Sequence, residues 1–420
     1  MKLRRRLRRW KPRLRPFSGR KLPEELRPEN IGPLASALPH GLHDPGFRTL
    51  LSRVDQSAIL GGNRVDVYFD GPAAFASMAE AVEAADSEIL VESYIWKDDE
   101  TGLRTLDALT RAAGRGVAVR ALADAFGSLS TRRTYWKEMR RRGIDVHLFN
   151  PLFPYLVTQP LRDHRKILVI DRRVAFTGGM NFADEYSLGI GGKDGLPWRD
   201  THARVEGPAA WEMATVFSEA WAAAGGSDLA LQPLTAPADS PARVLVLDSR
   251  PGRGHGETAS ILTAVVGAAR KRIWVTNSYF APRRRAVDTL AAAARRGVDV
   301  RLLLPGRTDV PIVRHAGHGW YAALRKVGVR VFEYQPAILH AKTAVVDDYL
   351  SIVGSSNLDF RSFHFNAECN FLILDDDVGK IMSAAFERDL VSSREIGAEW
   401  KRSLRHRIGD ALARRLGPFL

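Results

Sequence analysis

The stretch His164-Arg165-Lys166-Ile167-Leu168-Val169-Ile170-Asp171 returns as His340-Ala341-Lys342-Thr343-Ala344-Val345-Val346-Asp347. After six further residues each copy reaches a turn of small residues that ends in asparagine. The first reads Gly178-Gly179-Met180-Asn181 and the second Gly354-Ser355-Ser356-Asn357. In each copy a β-prone apolar run lies between Lys and Asp, and a second one (Val174–Thr177, Leu350–Val353) follows the Asp. A turn at Asp171-Arg172-Arg173, or at Asp347-Asp348, therefore joins two strands. Side chains at i and i+2 of a strand share a face, so each copy sets one imidazole beside one ammonium group. The duplication of histidine, lysine and asparagine at matched offsets implies two half-sites built on one plan.

These groups suit attack on a phosphodiester. Displacement at phosphorus spreads negative charge over the equatorial and leaving oxygens, and fixed ammonium and amide donors stabilise that charge. One imidazole can attack phosphorus while the other protonates the leaving alkoxide and then deprotonates the acceptor. In-line displacement needs the two histidines on opposite sides of phosphorus, so one copy alone does not suffice. Lys166 and Lys342 with Asn181 and Asn357 would hold the phosphate. Asp171 and Asp347 complete the motif; a turn position suits aspartate for its backbone alone, so these two are expected to position rather than carry protons. No carboxylate cluster has metal-ligand spacing, and neither a metal nor another cofactor is expected.

With Glu92-Ser-Tyr94-Ile-Trp96, Trp198-Arg-Asp200-Thr-His202, Tyr279-Phe-Ala-Pro282, Asn357-Leu-Asp359-Phe-Arg361-Ser362 and Asn366-Ala-Glu368-Cys-Asn370 added, the chain resembles the phospholipase D superfamily over residues 65–374. Within it the resemblance is to bacterial cardiolipin synthases of the short type that lack an N-terminal transmembrane pair. The resemblance implies His164 as nucleophile and His340 as acid and base. It implies that Glu368 holds the second-copy histidine in its tautomer and that Asp200 supports His164. The implied reaction is phosphatidyl transfer from one phosphatidylglycerol to another with release of glycerol. Hydrolysis to phosphatidic acid is the near alternative, and a nuclease is a more distant one.

The implied fold is α/β: two homologous α/β/α sandwich lobes with a pseudo-two-fold active site between them. Alternating elements support it. Helices near 74–85 and 103–113 flank a strand at 88–91, and the segment 115–120 begins the next strand. Helices near 259–269 and 286–294 flank a strand at 272–275, and the segment 296–301 begins the next one. The expected division is a basic arm over 1–45, lobe one over 46–231, a proline-rich linker at 232–242, lobe two over 243–399 and a basic amphipathic helix over 400–420.

The formal net charge is +14. Residues 1–20 hold ten Lys/Arg and no acid, and residues 400–420 hold six against Asp410. The body between them is nearly neutral and has no basic stripe interleaved with aromatics, which argues against nucleic acid as a partner. Basic ends carrying Leu3, Leu7 and Trp10, or Trp400, Leu404, Ile408, Leu412 and Leu416, suit an anionic membrane surface. No apolar run approaches the ~20 residues of a membrane span, no signal peptide is apparent, and the single cysteine, Cys369, has no intrachain partner. The expected location is the cytoplasmic side of the cell membrane, peripherally bound.

Overall fold

The structure is a computed structural model that describes Leu26 and residues 30–54, 58–151, 161–189, 195–229, 240–250, 255–400 and 402–416. The expected basic run at 1–20 and most of the expected linker lie outside the described residues.

The first half contributes β1 (Leu60–Tyr68), β2 (Glu88–Ser93), β3 (Ala118–Asp124), β4 (Asp145–Phe149), the short β5 (Arg162–Asp163), β6 (Lys166–Ile170), β7 (Val174–Gly178) and β8 (His202–Glu206). The second contributes β9 (Ala242–Ser249), β10 (Arg272–Asn277), β11 (Asp299–Pro305), β12 (Arg330–Tyr334), β13 (Lys342–Val346), β14 (Leu350–Gly354), β15 (Asn366–Leu374) and β16 (Ser393–Glu395). Strand order in the first half is β4-β3-β2-β6-β7-β8-β1, and in the second β12-β11-β10-β13-β14-β15-β9, with β16 outside β12. The two orders are the same. Edge strands β1 and β9 pair antiparallel, with Leu60 opposite Val244 and Asn63 opposite Ala242, so the two sheets run into one another.

The repeated motif sits mid-sheet in both halves, where both faces are covered, and its strands are accordingly almost continuously apolar. On β6, Ile167 and Val169 face a core shared by the halves, which also takes Val246, Val345, Val353 and Phe371. Leu168 and Ile170 face the helices of the first half, where they meet Met78, Leu106, Leu109 and Trp136. Helices Pro208–Ala223 and Asp376–Val391 contribute Met213, Phe217, Met382 and Phe386 to the shared core. Each half is thus an α/β/α sandwich, and a common apolar layer fixes one against the other.

Residues 30–45, expected in the arm, and 46–54, expected in lobe one, pack instead on the second half. Helices Ile31–Ala37 and Pro45–Val54 bury Ile31, Leu34, Phe47 and Leu51 against Ile261, Val265 and Leu290 of the second half. The basic composition upstream masked this apolar periodicity.

Candidate active site

The residues before each histidine leave their own sheet and pair with the other half. Strand β5 runs parallel to Asn366 and Ala367 of β15, and the His164 N–H donates to the Ala367 carbonyl at 2.9 Å. Symmetrically, Arg199 bridges to Leu339, and the His340 N–H donates to the Arg199 carbonyl at 2.8 Å. Register makes Asp200 in the first half the counterpart of Glu368 in the second, because His202 faces Gly178 as Asn370 faces Gly354.

This crossing exchanges the acid partners. His164 Nδ1 lies 3.1 Å from Glu368 Oε2, and His340 Nδ1 lies 2.7 Å from Asp200 Oδ2. The sequence expectation had them the other way round. Glu368 stands on β15 and Asp200 two residues before β8, and each of these segments is laid against the opposite half's histidine segment. Glu368 is fully buried and also accepts from Ser355 Oγ at 2.5 Å and Ser362 Oγ at 2.8 Å. Asp200 accepts from the Thr201 N–H at 2.7 Å. A Cβ on Gly179 would stand 2.1 Å from Asp200 Oδ1, so the first half needs glycine where the second has Ser355 as a donor to the longer glutamate.

The side chains of His164 and His340 are nearly buried, as are those of Lys166 and Lys342. Lys166 Nζ donates to the His164 carbonyl at 2.6 Å. Lys342 Nζ donates to the His340 carbonyl and lies 2.9 Å from His340 Nδ1. Burial pushes His164 down to about 4, outweighing the Glu368 carboxylate, and Lys166 adds to the depression. His340 is lowered by burial and by Lys342. Burial also lowers Lys166 to about 7 and Lys342 to about 8. Burial would raise Glu368 and Asp200, but the histidine each one faces holds it below the usual carboxylate range. Each pair is therefore a neutral imidazole whose Nδ1–H donates to a carboxylate, leaving Nε2 as the working nitrogen.

Asn181 and Asn357 are buried at the matching turns. Asn181 Oδ1 accepts from the Ile95 N–H at 3.0 Å and its amide donates to Tyr186 Oη at 2.7 Å. Asn357 Oδ1 accepts from Ser278 Oγ at 2.8 Å. The Ile95 N–H, which can only donate, fixes the Asn181 oxygen as the acceptor.

Asp171 and Asp347 are not in the site. Asp171 accepts from the backbone of Asp86, Ser87 and Glu88 at 2.8–2.9 Å, and Asp347 from Arg270, Lys271 and Arg272 at 2.7–2.8 Å. Both have positive φ, 50° and 53°, followed by Arg172 and Asp348 at 57° and 56°, the pairing of a type I′ turn. They lie at the far end of their strands from the lysines, on the order of 15 Å away at the usual strand rise. Their place is structural: they staple the start of the neighbouring strand.

The surroundings of the two histidines differ. Tyr94 faces His164, with ring centroids 4.8 Å apart. Next to it lies a buried cluster of Glu92, Asp163 and Arg165, with the half-buried Asp248 at its edge; Arg165 Nη1 is 3.6 Å from Glu92 and 3.8 Å from Asp163, and Nη2 pairs with Asp248. Register puts Thr276, Leu339 and Ala341 at the counterparts of Glu92, Asp163 and Arg165 in the second half. His340 is instead ringed by Tyr186, Trp198 and Tyr279, at 5.2, 5.3 and 5.9 Å. Sequence reasoning quoted the motifs holding Glu92, Trp198 and Tyr279 but gave those residues no place. Ser355 was visible only as a small turn residue, and Ser362 only as part of a quoted motif without a role.

Among the described residues, His315, His318 and Asp410 have ligating atoms within 4.8 Å of one another. The Arg402 guanidinium already occupies that cluster, 2.7 Å from Asp410 and 3.3 Å from His315, so a cation there would meet a fixed positive charge.

Comparison with known proteins places this geometry. The family model described as "Cardiolipin synthase, PLD-like domain" matches residues 78–188 and 262–390, one segment in each half. Cardiolipin synthase 1 of Bacillus anthracis is 34% identical over 366 residues, covering 84% of this chain and 71% of that one. Cardiolipin synthase A of Pseudomonas fluorescens is 35% identical over 379 residues, covering 88% and 78%. Among solved structures, phosphatidylserine synthase of Haemophilus influenzae superposes with a TM-score of 0.67 over 89% of this chain and 98% of that one, at 14% identity. That last likeness is one of fold.

Proposed function

Because this chain belongs to the cardiolipin synthase family of phospholipase D-like proteins, we propose that it transfers a phosphatidyl group from one phosphatidylglycerol to another, forming cardiolipin and releasing glycerol. The observation that carries the reading is the pair of buried histidines, each with Nδ1 bound to a carboxylate of the opposite half.

His164 Nε2 attacks phosphorus, and His340 gives a proton to the departing glycerol oxygen. His340 then takes a proton from the hydroxyl of the second phosphatidylglycerol, which displaces His164 from phosphorus. Lys166, Lys342 and the two asparagine amides hold the phosphate oxygens. His164 suits the nucleophile's part because burial keeps it neutral. His340 suits the proton carrier's part because its contact with Asp200 is the shorter, and the incoming phosphodiester anion draws a proton from solvent onto the bare Nε2, which the leaving oxygen then takes. Among the described residues no helix is long and apolar enough to cross a membrane, and the protein works on its lipid as a peripheral protein at the anionic cytoplasmic surface.

The test is mass spectrometry of products from purified protein and phosphatidylglycerol in mixed micelles. Cardiolipin with an equal amount of glycerol is expected. Phosphatidic acid alone would replace transfer by hydrolysis, and absence of turnover with cleavage of single-stranded DNA would replace the lipid reading altogether.

A further inference from the structure

The helix Leu404–Leu416 docks on the helix Pro311–Lys326 through its small and polar side. Asp410 and Ala413 are buried, Asp410 Oδ1 lies 2.7 Å from His315 Nδ1, and the Arg414 guanidinium lies over the Trp320 ring. Its apolar residues point the other way. Leu404, Ile408, Leu412 and Leu416 are 71, 54, 56 and 45% exposed; at four-residue spacing they form one stripe, on the side of the helix away from Asp410 and Ala413. An amphipathic helix that packed for stability alone would turn that stripe inward.

The helix docks beside the site through its buried side. Ala413 shares a small apolar cluster with Ala281, Val313 and Ala316, against which Tyr279 packs, and Tyr279 faces His340. The first half has an exposed apolar rim too: Phe126 and Leu129, 50 and 61% exposed, follow β3 beside Tyr94, whose carbonyl crowds Gly127. Strand β3 is the counterpart of β11, which leads into the helix carrying His315. Exposed apolar side chains therefore stand near Tyr94 in the first half and on a helix that docks near Tyr279 in the second.

We infer that the helix Leu404–Leu416 is an interfacial element that seats the mouth of the active site on an anionic lipid surface. The stripe enters the acyl boundary while Arg405, Arg407 and Arg415, all exposed, meet lipid phosphates. Charge selects this occupant. Residues 1–20 carry ten Lys/Arg and no acid, and a second copy would bring the same arginines, so either alternative sets like charges together. The inference rests on the phosphatidyl-transfer reading only for the choice of lipid.

Cys369 is the sole cysteine and is buried, so Ile408→Cys in the full chain gives one accessible thiol for an environment-sensitive fluorophore. Adding vesicles of phosphatidylglycerol and phosphatidylcholine in equal parts should shift the emission to the blue, and spin-labelled acyl chains should quench it. Phosphatidylcholine alone should do neither. Emission unchanged by the anionic vesicles would overturn the inference. So would a blue shift that grows with protein concentration in the absence of lipid, which marks a second copy as the occupant. As an independent check, Leu404→Ser with Leu412→Ser should weaken binding to the anionic vesicles at least tenfold, burial of one such side chain being worth roughly that much. Its turnover in detergent micelles should stay within twofold of the parent. Vesicle binding at parental affinity would refute the seat. Because the fluorophore reads contact and not turnover, a failed activity reading leaves this test intact.

Discussion

Lys166 and Lys342 show what burial does to a group that must be charged to work. Held down to about 7 and about 8, both lose protons near neutrality in the empty site, whereas a bound phosphodiester favours the ammonium form. The sign follows: affinity is highest where the free enzyme's lysines are still protonated and falls as pH rises through their values. KM for phosphatidylglycerol in micelles should therefore climb on the order of tenfold between pH 7 and 9, and a KM flat across that window would show that the lysines do not bind the phosphate. The carboxylates run opposite. Glu368 and Asp200 stay ionised because each faces an imidazole N–H, and a buried carboxylate without that partner would rise instead. Glu92 does so: burial and the neighbouring Asp163 carry it well above the usual range, despite Arg165.

The hairpin is the element the sequence displayed best. His164, Lys166 and Asn181, with His340, Lys342 and Asn357, were legible because strand periodicity and the small-residue turn operate within about twenty residues of chain. What each aspartate does was less legible. Turn chemistry alone explained Asp171 and Asp347, and the backbone amides they hold lie more than seventy residues away. Asp347→Ala removes three such bonds and a side chain that tolerates positive φ. It should cost about 2 kcal/mol in urea unfolding, with Asp347→Asn losing less than half of that, and KM should be unchanged for both. Loss of turnover in a fully stable Asp347→Ala variant would instead place the carboxylate in the chemistry. Helices Ile31–Ala37 and Pro45–Val54 were illegible for a different reason: their apolar faces fit a sheet whose first strand begins about two hundred residues later.

At the scale of the molecule, two copies of one unit become a single site because each lends the other a backbone strand and a carboxylate. Symmetric motifs could announce two histidines and two acids, but not which acid meets which histidine, since that depends on how the sheets face. Arg199 adds to the clasp, reaching Asp389 on the second half's helix Asp376–Val391 at 2.7 Å. Variants should accordingly group by crossed pair, His164 with Glu368 and His340 with Asp200, and not by half. A phosphatidyl ester of p-nitrophenol separates the pairs, because its leaving group departs without a proton and needs no general acid. The decisive measurement is the pre-steady-state burst of nitrophenolate from Asp200→Asn and Glu368→Gln. Asp200→Asn should release about one equivalent per site at near-parental rate, while Glu368→Gln slows that release by on the order of 10²- to 10⁴-fold. A burst retained by Glu368→Gln and lost by Asp200→Asn would contradict both the crossed pairing and the choice of His164 as nucleophile.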